Sequence, residues 1–194
     1  KSISVVLPAY NEENNISSVV LRALEFLPRV ASDFEIIVID DGSQDKTAEI
    51  LKNVQLQDGR LKLIRHLKNR GYGATLNTGF QQARMDLIFM MDADQQFDIV
   101  DMPRLLAFAE EHEIVIGARA PRKDPPYRLF CSNGFNALAR FAFGIKFADM
   151  NCGFKLFRRE ALQKINLVST GSMISAEILA KAKAEGDELI AKAR

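Results

Sequence analysis

The chain has 194 residues and is 47% apolar, which suffices for one substantial core and favours a single domain. Its 26 basic and 25 acidic residues nearly cancel, so the net charge of +1 gives no reason to expect a nucleic acid as partner. The sequence contains no run of eighteen uncharged apolar residues, the length that a membrane span needs, and its strand-like start does not resemble a secretory leader. We therefore expect a soluble, unprocessed chain.

A strand, a polar loop and a helix open the chain. Residues 3–7 are a β-branched run that we expect Pro8 to end. Apolar residues then recur at steps of three and four, which predicts an amphipathic helix over residues 16–27. The side chain of Asn14 or Asn15 is expected to cap this helix.

The same pattern is then repeated. Residues 34–39 predict a second buried strand, which runs directly into Asp40 and Asp41. Ser43 or Asp45 is expected to cap the helix that follows. Further along, the same reasoning predicts helices over residues 47–54, 74–83 and 102–111 and strands over residues 61–65, 87–91 and 114–116. Such alternation predicts a parallel sheet with helical crossovers and with its loops gathered at one edge.

A glycine-containing loop, residues 69–73, precedes the helix predicted over residues 74–83. Its glycines permit a close backbone approach, either to a ligand phosphate at the start of the helix or within a plain tight turn. The loop lacks the full spacing of a dinucleotide-binding motif and does not open the first crossover, so a dinucleotide site is not expected. The phosphate loop and the tight turn stay open as alternatives.

Two carboxylates emerge at the end of the apolar strand predicted over residues 87–91. Asp92 and Asp94 are two residues apart and could therefore face one site, at the edge of the sheet where ligands bind. Two adjacent carboxylates repel unless a proton or a cation lies between them, and hard oxygen ligands, with Gln96 as a third, suit Mg²⁺ or Mn²⁺ that also holds a diphosphate. The alternative is an acidic turn that caps the next helix.

The region after residue 118 changes character. Residues 119–128 form a basic, proline-stiffened loop, which suits the phosphates of a ligand or serves as a solvated connection. Residues 130–147 combine five phenylalanines with basic residues, and they form either a core helix or a helix in a membrane interface with its cations toward lipid headgroups. Residues 175–194 are rich in Ala, Lys and Glu and have mostly helical propensity.

The few cysteines and histidines give no strong signal. Cys131 and Cys152 lack the spacing of a zinc site and are interpreted as buried or idle thiols in a reducing compartment. His66 and His112 are isolated in the sequence. We interpret both as surface or core residues rather than ligands.

Five motifs stand out when the chain is taken as a whole: LPAYNEE at 7–13, DDGS at 40–43, NRGYGA at 69–74, DADQQF at 92–97 and NCGFKLFRREAL at 151–162. Together, over residues 3–165, they resemble the inverting glycosyltransferases of family 2, and within that family the dolichyl- or polyprenyl-phosphate mannosyl and glucosyl transferases. The resemblance implies the GT-A fold, an α/β nucleotide-diphospho-sugar transferase fold whose mostly parallel central sheet is flanked by helices. Relatives continue past the last helix into a further strand and a basic segment, so residues 1–194 are expected to be one catalytic domain truncated at its C-terminus.

The resemblance also assigns roles by position. The implied nucleotide-binding residues are Pro8, Tyr10, Glu12, Ile39, Asp41, Asp92, Ala93, Arg119 and Arg128. The implied metal ligands are Asp92, Asp94 and Gln96, of which Asp94 and Gln96 are favoured as direct ligands. The implied catalytic residues are Asp94, Arg119 and Asp149.

The reaction that the resemblance implies is transfer of a hexose from a nucleotide-diphosphate sugar, of the GDP-mannose or UDP-glucose type, to a polyprenyl or dolichyl phosphate. Mg²⁺ or Mn²⁺ is the implied cofactor, and the enzyme is expected to be cytoplasmic and peripheral to a membrane. A lipid phosphate needs no general base, whereas a sugar hydroxyl as acceptor would need one, for which Asp149 is the candidate. Transfer to such a hydroxyl and a non-catalytic nucleotide-sugar binding module are the alternatives. A haloacid dehalogenase-type phosphatase is disfavoured because its nucleophilic Asp follows the first strand.

Overall fold

A seven-stranded sheet lies at the centre of the described part of the chain, which in this computed structural model comprises residues 1–117 and 152–186 and the backbone of residues 189–193. Its strands are β1 (Ser2–Ala9), β2 (Asp33–Asp40), β3 (Leu61–Arg65), β4 (Leu87–Met91), β5 (Ile114–Gly117), β6 (Phe154–Arg158) and β7 (Leu189–Ala193). The α-helices of the same ranges are α1 (Ile16–Phe26), α2 (Thr47–Gln57), α3 (Tyr72–Gln82), α4 (Met102–Leu106), α5 (Arg159–Gln163) and α6 (Ile174–Glu185). Short 3₁₀ turns at Leu27–Arg29 and Ile99–Asp101 complete the set.

The strand order is β3-β2-β1-β4-β6-β5-β7. The pairs β3–β2, β2–β1, β1–β4 and β5–β7 are parallel, and β6 runs antiparallel to both of its neighbours, β4 and β5. The predicted mostly parallel α/β sheet is therefore confirmed. The first four strands all end on one side, which we call the carboxyl edge, and the loops that follow them gather there.

Burial on both faces explains why β4 and most of β2 are continuous apolar runs. All five residues of β4 are buried, as are seven of the eight in β2. On one face, α3 lies close to β1 and β2 because Gly79 has no side chain. A Cβ atom at Gly79 would lie 2.4 Å from Val6 Cγ1 and 2.7 Å from Ile39 Cδ1.

The first strand extends beyond its predicted end. Pro8 lies within β1, opposite Ile39 of β2, and the strand continues to Ala9. The prediction that Pro8 ends the strand was therefore wrong. β1 pairs with β4 only over residues 3–6, so Pro8 has a neighbouring strand on one side alone, where a residue without an N–H group is tolerated.

Two predicted helices differ from the structure. α4 ends at Leu106, and the residues up to 111 form turns with hydrogen bonds such as Phe108 N–H to Leu105 O (3.0 Å) instead of a continued helix. α6 ends at Glu185, and the next residue, Gly186, has a φ of 83°, the left-handed conformation typical of a residue that terminates a helix. The backbone then forms β7, which pairs in parallel with β5. Helical propensity was therefore the wrong guide beyond residue 186.

Candidate functional site

The loops after β1 and β2 are joined at the carboxyl edge by hydrogen bonds in both directions. Asn11 N–H donates to Ser43 Oγ (2.9 Å), and Gln44 N–H donates to Asn11 Oδ1 (2.9 Å). Asn11 adopts a φ of 55°, a left-handed conformation that asparagine accepts more readily than most residues. Glu12 N–H donates to Thr47 Oγ1 (2.8 Å). The two loops therefore act as one rigid unit.

The expected helix caps lie in this unit but only one of them acts as a cap. Asn15 occupies the N-cap position of α1, yet its side chain makes no capping bond and Nδ2 donates to Glu12 Oε2 instead (2.8 Å). Asp45 Oδ1 accepts the backbone N–H of Thr47 at the start of α2 (3.0 Å). Ser43 is used by the other loop, as described above. Asp45 is thus the residue that satisfies the start of α2.

The expected nucleoside residues divide by exposure. Tyr10 is 44% exposed at the rim of the carboxyl edge, and Glu12 is partly buried. Pro8 and Ile39 are buried within paired strands, so they form the floor under the loops. Of these four side chains, Tyr10 is the most accessible to a ligand.

Asp41 is buried and accepts hydrogen bonds from His66 and from two consecutive backbone N–H groups. Its Oδ1 lies 2.6 Å from His66 Nδ1 and 2.9 Å from the backbone N of Arg70, and its Oδ2 lies 2.9 Å from the backbone N of Gly71. Burial raises the pKa of the Asp41 carboxyl group, but the hydrogen bonds from His66, Arg70 and Gly71 outweigh burial and hold its pKa below the usual value. Asp41 therefore ties the ends of β2 and β3 to the start of α3.

The glycine loop before α3 serves the chain's own packing. Gly73 N–H and Ala74 N–H both donate to Thr170 O, at 2.7 and 3.3 Å. A Cβ atom at Gly73 would lie 2.4 Å from Ser169 O, so glycine is needed for this close approach. Of the two alternatives for this loop, the structure favours the tight turn, since the N–H groups that a phosphate would use are bonded to the chain.

Asp92, directly after β4, is held from two sides. Tyr72 donates its hydroxyl to Asp92 Oδ1 (2.7 Å), and Asp92 N–H donates to Gly153 O (3.1 Å). The carboxylate lies against the Cα of Gly153, where a Cβ atom would come within 1.7 Å of Asp92 Oδ2. Burial raises the pKa of Tyr72, and the charges of Asp92 and Asp94 raise it further, so the phenol stays a hydrogen-bond donor.

Asp94 has a different environment. It is exposed, as are Gln95 and Gln96, whereas Ala93 is buried beneath them. Asp94 Oδ1 accepts the backbone N–H of Gln96 (3.0 Å), and Gln95 has a φ of 61°, so the loop turns sharply here. The Asp94 carboxylate and the Gln96 amide therefore face solvent at the end of β4.

These residues fit a divalent cation that is shared with a ligand. Asp92 and Asp94 both act on the phenol of Tyr72, so both negative charges lie near one point. Within residues 1–117 and 152–186, no group of three or more His, Cys, Asp or Glu side chains is placed to hold a metal ion by itself. Mg²⁺ typically binds through one or two carboxylates and completes its shell with water and substrate phosphates, which matches this set.

Three expected site residues, Arg119, Arg128 and Asp149, lie outside the described residues, as does the aromatic stretch 130–147.

The sequence analysis gave no role to one residue that the structure places at the site. His66 was interpreted as isolated, but it contacts Asp41 directly. It follows β3, whose neighbour β2 ends just before Asp41, so the strand order alone would have placed the two side chains together.

The chain is similar to known proteins in sequence and in fold. The family model described as Glycosyl transferase family 2 matches residues 4–166. Undecaprenyl-phosphate 4-deoxy-4-formamido-L-arabinose transferase of Pectobacterium atrosepticum is 35% identical over 198 residues, which cover 99% of this chain and 60% of that protein. Dolichyl-phosphate beta-glucosyltransferase ALG5C of Trichomonas vaginalis is 38% identical over 175 residues, covering 80% of this chain and 51% of that protein.

Solved structures show the same fold at lower identity. Glucosyl-3-phosphoglycerate synthase of Mycobacterium tuberculosis, crystallised with Mn²⁺, UDP-glucose and phosphoglyceric acid, superposes with a TM-score of 0.75 and 20% identity over 95% of this chain and 66% of that one. The fold is therefore GT-A, as the motifs implied. The chain spans 51% to 60% of the two curated relatives named above. Among the described residues, none of the helices has the length and apolar character that crossing a membrane requires.

Proposed function

The chain belongs to glycosyl transferase family 2, and from that premise we propose that it transfers a hexose from a nucleotide-diphosphate sugar to a polyprenyl phosphate with the help of Mg²⁺ or Mn²⁺. The observation that carries the proposal is the acidic pair at the end of β4. Asp92 is fixed by Tyr72 and Gly153, and Asp94 is exposed beside it. An anchored carboxylate and an accessible one at the carboxyl edge suit a cation that also binds a diphosphate.

The chain's own residues would hold and orient the donor. Asp94 and Gln96 would bind the metal directly, and Asp92 would complete the negative charge that attracts it. Tyr10 and Glu12, on the rigid loop unit, would bound the nucleoside, with Pro8, Ile39 and Asp41 beneath it. When bound there, a divalent cation would supply positive charge to the departing diphosphate, whose negative charge grows as the bond to the sugar breaks, and would so stabilise the transition state more than the ground state.

The acceptor is proposed from the relatives' names. The two curated relatives are transferases of undecaprenyl phosphate and of dolichyl phosphate, although this chain spans only part of each. A phosphate oxygen is already ionised near neutral pH, so no carboxylate is needed to remove a proton from it. Asp149 is the candidate general base for the alternative acceptor, a sugar hydroxyl. Arg119 and Arg128 are proposed as contacts to phosphates on the motif resemblance alone.

A lipid-linked acceptor implies work at a membrane surface. We propose that the protein acts as one catalytic domain on the cytoplasmic face of a membrane. Co-sedimentation of the chain with vesicles that contain an anionic lipid and undecaprenyl phosphate tests the proposed membrane association. Equal recovery in the supernatant with and without vesicles would contradict it.

The proposed reaction is tested by a transfer assay. The full chain is incubated with radiolabelled UDP-glucose or GDP-mannose, undecaprenyl phosphate and Mn²⁺, and the label in the lipid phase is counted. We expect transfer with one of the donors, its loss in excess EDTA and its recovery on renewed addition of Mn²⁺. Activity that persists in EDTA would contradict the metal requirement. Nucleotide binding without transfer to the lipid phosphate or to a sugar hydroxyl would instead favour a binding module.

A further inference from the structure

A buried histidine lies next to the carboxylate at the end of β2. The side chains of His66 and Asp41 are 6% and 4% exposed, and Nδ1 lies 2.6 Å from Oδ1. The other ring nitrogen, Nε2, lies 3.0 Å from Thr78 Oγ1 on α3. Both polar atoms of the ring therefore have partners within the protein, although nothing in the sequence surrounding His66 suggested a role.

The hydrogen-bond partners fix the orientation of the ring. Asp41 is a carboxylate that accepts bonds from Arg70 N and Gly71 N, so His66 Nδ1 donates to it. The opposite ring nitrogen, Nε2, is bonded to Thr78 Oγ1 on α3. The ring is therefore held between the end of β2 and α3.

Asp41 relies on hydrogen bonds because the arginine at the end of β3 pairs with a different carboxylate. Arg65 lies 3.0 Å from Asp40. A buried carboxylate costs free energy unless it is hydrogen-bonded, and His66 supplies a side-chain bond to Asp41 beside the backbone N–H groups of Arg70 and Gly71.

We propose that His66 is a positioning residue of the donor site, a buried imidazole ring that fixes the Asp41 carboxylate and, through it, the loop that leads into α3. The inference rests on the proposed nucleotide-sugar activity. Asp41 holds the backbone of Gly71, and the next residue, Tyr72, donates to Asp92. His66 therefore acts on both sides of the site, from the floor of the nucleoside pocket to the carboxylate beside the diphosphate.

The contact between His66 and Asp41 is tested by NMR of the ring nitrogens. The sequence contains two histidines, so His112→Gln assigns the signals of His66 by elimination. We expect the Nδ1 proton of His66 to exchange slowly with solvent, because it is buried and bonded to Asp41. A rapidly exchanging Nδ1 proton would overturn the inferred contact.

The positioning role is tested with His66→Asn, which keeps a donor toward Asp41 but removes the ring and its bond to Thr78. With UDP or GDP and Mn²⁺ as the probe, we expect nucleotide affinity to fall about tenfold or more, with the KM of the donor rising far more than kcat falls. The control is Ser4→Ala, whose hydroxyl bonds Glu35 elsewhere in the sheet (2.7 Å) and whose loss lowers stability without contact with the donor site.

The outcomes separate this inference from the proposed function. If the unmodified chain binds neither nucleotide, the proposed function fails, and the NMR signal still decides whether His66 holds Asp41. If the unmodified chain binds and His66→Asn binds equally well, the positioning role is wrong. If Ser4→Ala weakens nucleotide binding as much as His66→Asn does, the effect is one of stability, and the positioning role is again wrong.

Discussion

Two acidic loops lie at the same edge of the sheet and differ in what their carboxylates bind. The loop after β2 carries Asp41, which is buried and accepts bonds from His66, Arg70 N and Gly71 N. The loop after β4 carries Asp94, which is exposed and accepts a backbone bond within its own turn. A carboxylate at a strand end is therefore not a ligand site by position alone. What decides its role is how many donors the fold already supplies.

The largest expected effect is on stability, from removal of the buried carboxylate. Asp41→Ala leaves His66 and two backbone N–H groups without their partner, so we expect a loss of about 3–5 kcal/mol in the free energy of unfolding. Urea denaturation measures it. The double variant Asp41→Ala/His66→Leu is the control and should lose less than the sum of the two single variants. A loss below about 1 kcal/mol would show that Asp41 supports the fold no more than an exposed carboxylate does, which would contradict the difference between the two loops.

The next effect is on activity and should leave stability unchanged. Asp94→Ala removes the accessible carboxylate, so we expect transfer to fall at least about 100-fold, or about 2.7 kcal/mol in the barrier. Its stability should stay within about 0.5 kcal/mol, because an exposed side chain supports little packing. Glu110→Ala, which removes an exposed carboxylate beside Lys1, is the control and should leave transfer unchanged. A fully active or an unfolded Asp94→Ala variant would contradict the site assignment.

A smaller effect tests the glycine loop before α3, whose backbone N–H groups bond Asp41 and Thr170. If the chain itself fixes this loop, added bulk there should destabilise the fold. Gly73→Ala would place a Cβ atom 2.4 Å from Ser169 O and 2.8 Å from Gly171 O. We expect a loss of about 1–3 kcal/mol by overpacking, measured by thermal unfolding. Gly171→Ala is the matched control, since its Cβ would meet no atom within 4 Å. Equal stability of the two variants would show that the segment around Ser169 does not hold the loop closely.

The smallest expected effect is on the pH dependence of stability. It comes from Glu177, a third carboxylate that accepts hydrogen bonds from other residues of the chain. Burial raises the pKa of Glu177, but bonds from Lys181, Ser169 and Val168 outweigh it and lower the pKa from 4.5 to about 2. A depressed pKa stabilises the fold above about pH 4.5, and this stabilisation is lost as the pH falls toward 2. We therefore expect Glu177→Gln to cost about 1 kcal/mol at pH 7 and progressively less in acid. A deficit that is the same at pH 7 and pH 3 would contradict this linkage.

The sequence predicted local features well where burial determines them. β4 has the predicted bounds, because residues covered on both faces form a continuous apolar run. The edge strand β3 also has its predicted bounds, although it is only partly buried. The acidic pair at Asp92 and Asp94 also lies at the predicted strand end. These features depend on neighbours in sequence or on one simple rule of parallel sheets.

What the sequence did not predict depends on partners far along the chain. The donors to Asp41 lie 25 to 30 residues away, and the carbonyl that occupies the N–H groups of Gly73 and Ala74 belongs to Thr170. The composition of residues 175–194 favours helix, yet pairing with β5 makes the last segment a strand. In each case a contact between distant segments outweighed the local pattern.

The most direct test of the account is the position of a manganese ion in crystals of the chain grown with Mn²⁺ and UDP-glucose or GDP-mannose. Anomalous scattering locates the metal independently of the protein model. We expect one Mn²⁺ at a bonding distance of about 2.1 Å from a carboxylate oxygen of Asp94, bridging to the diphosphate. A diphosphate bound away from the end of β4, with Asp94 free in solvent, would contradict the account.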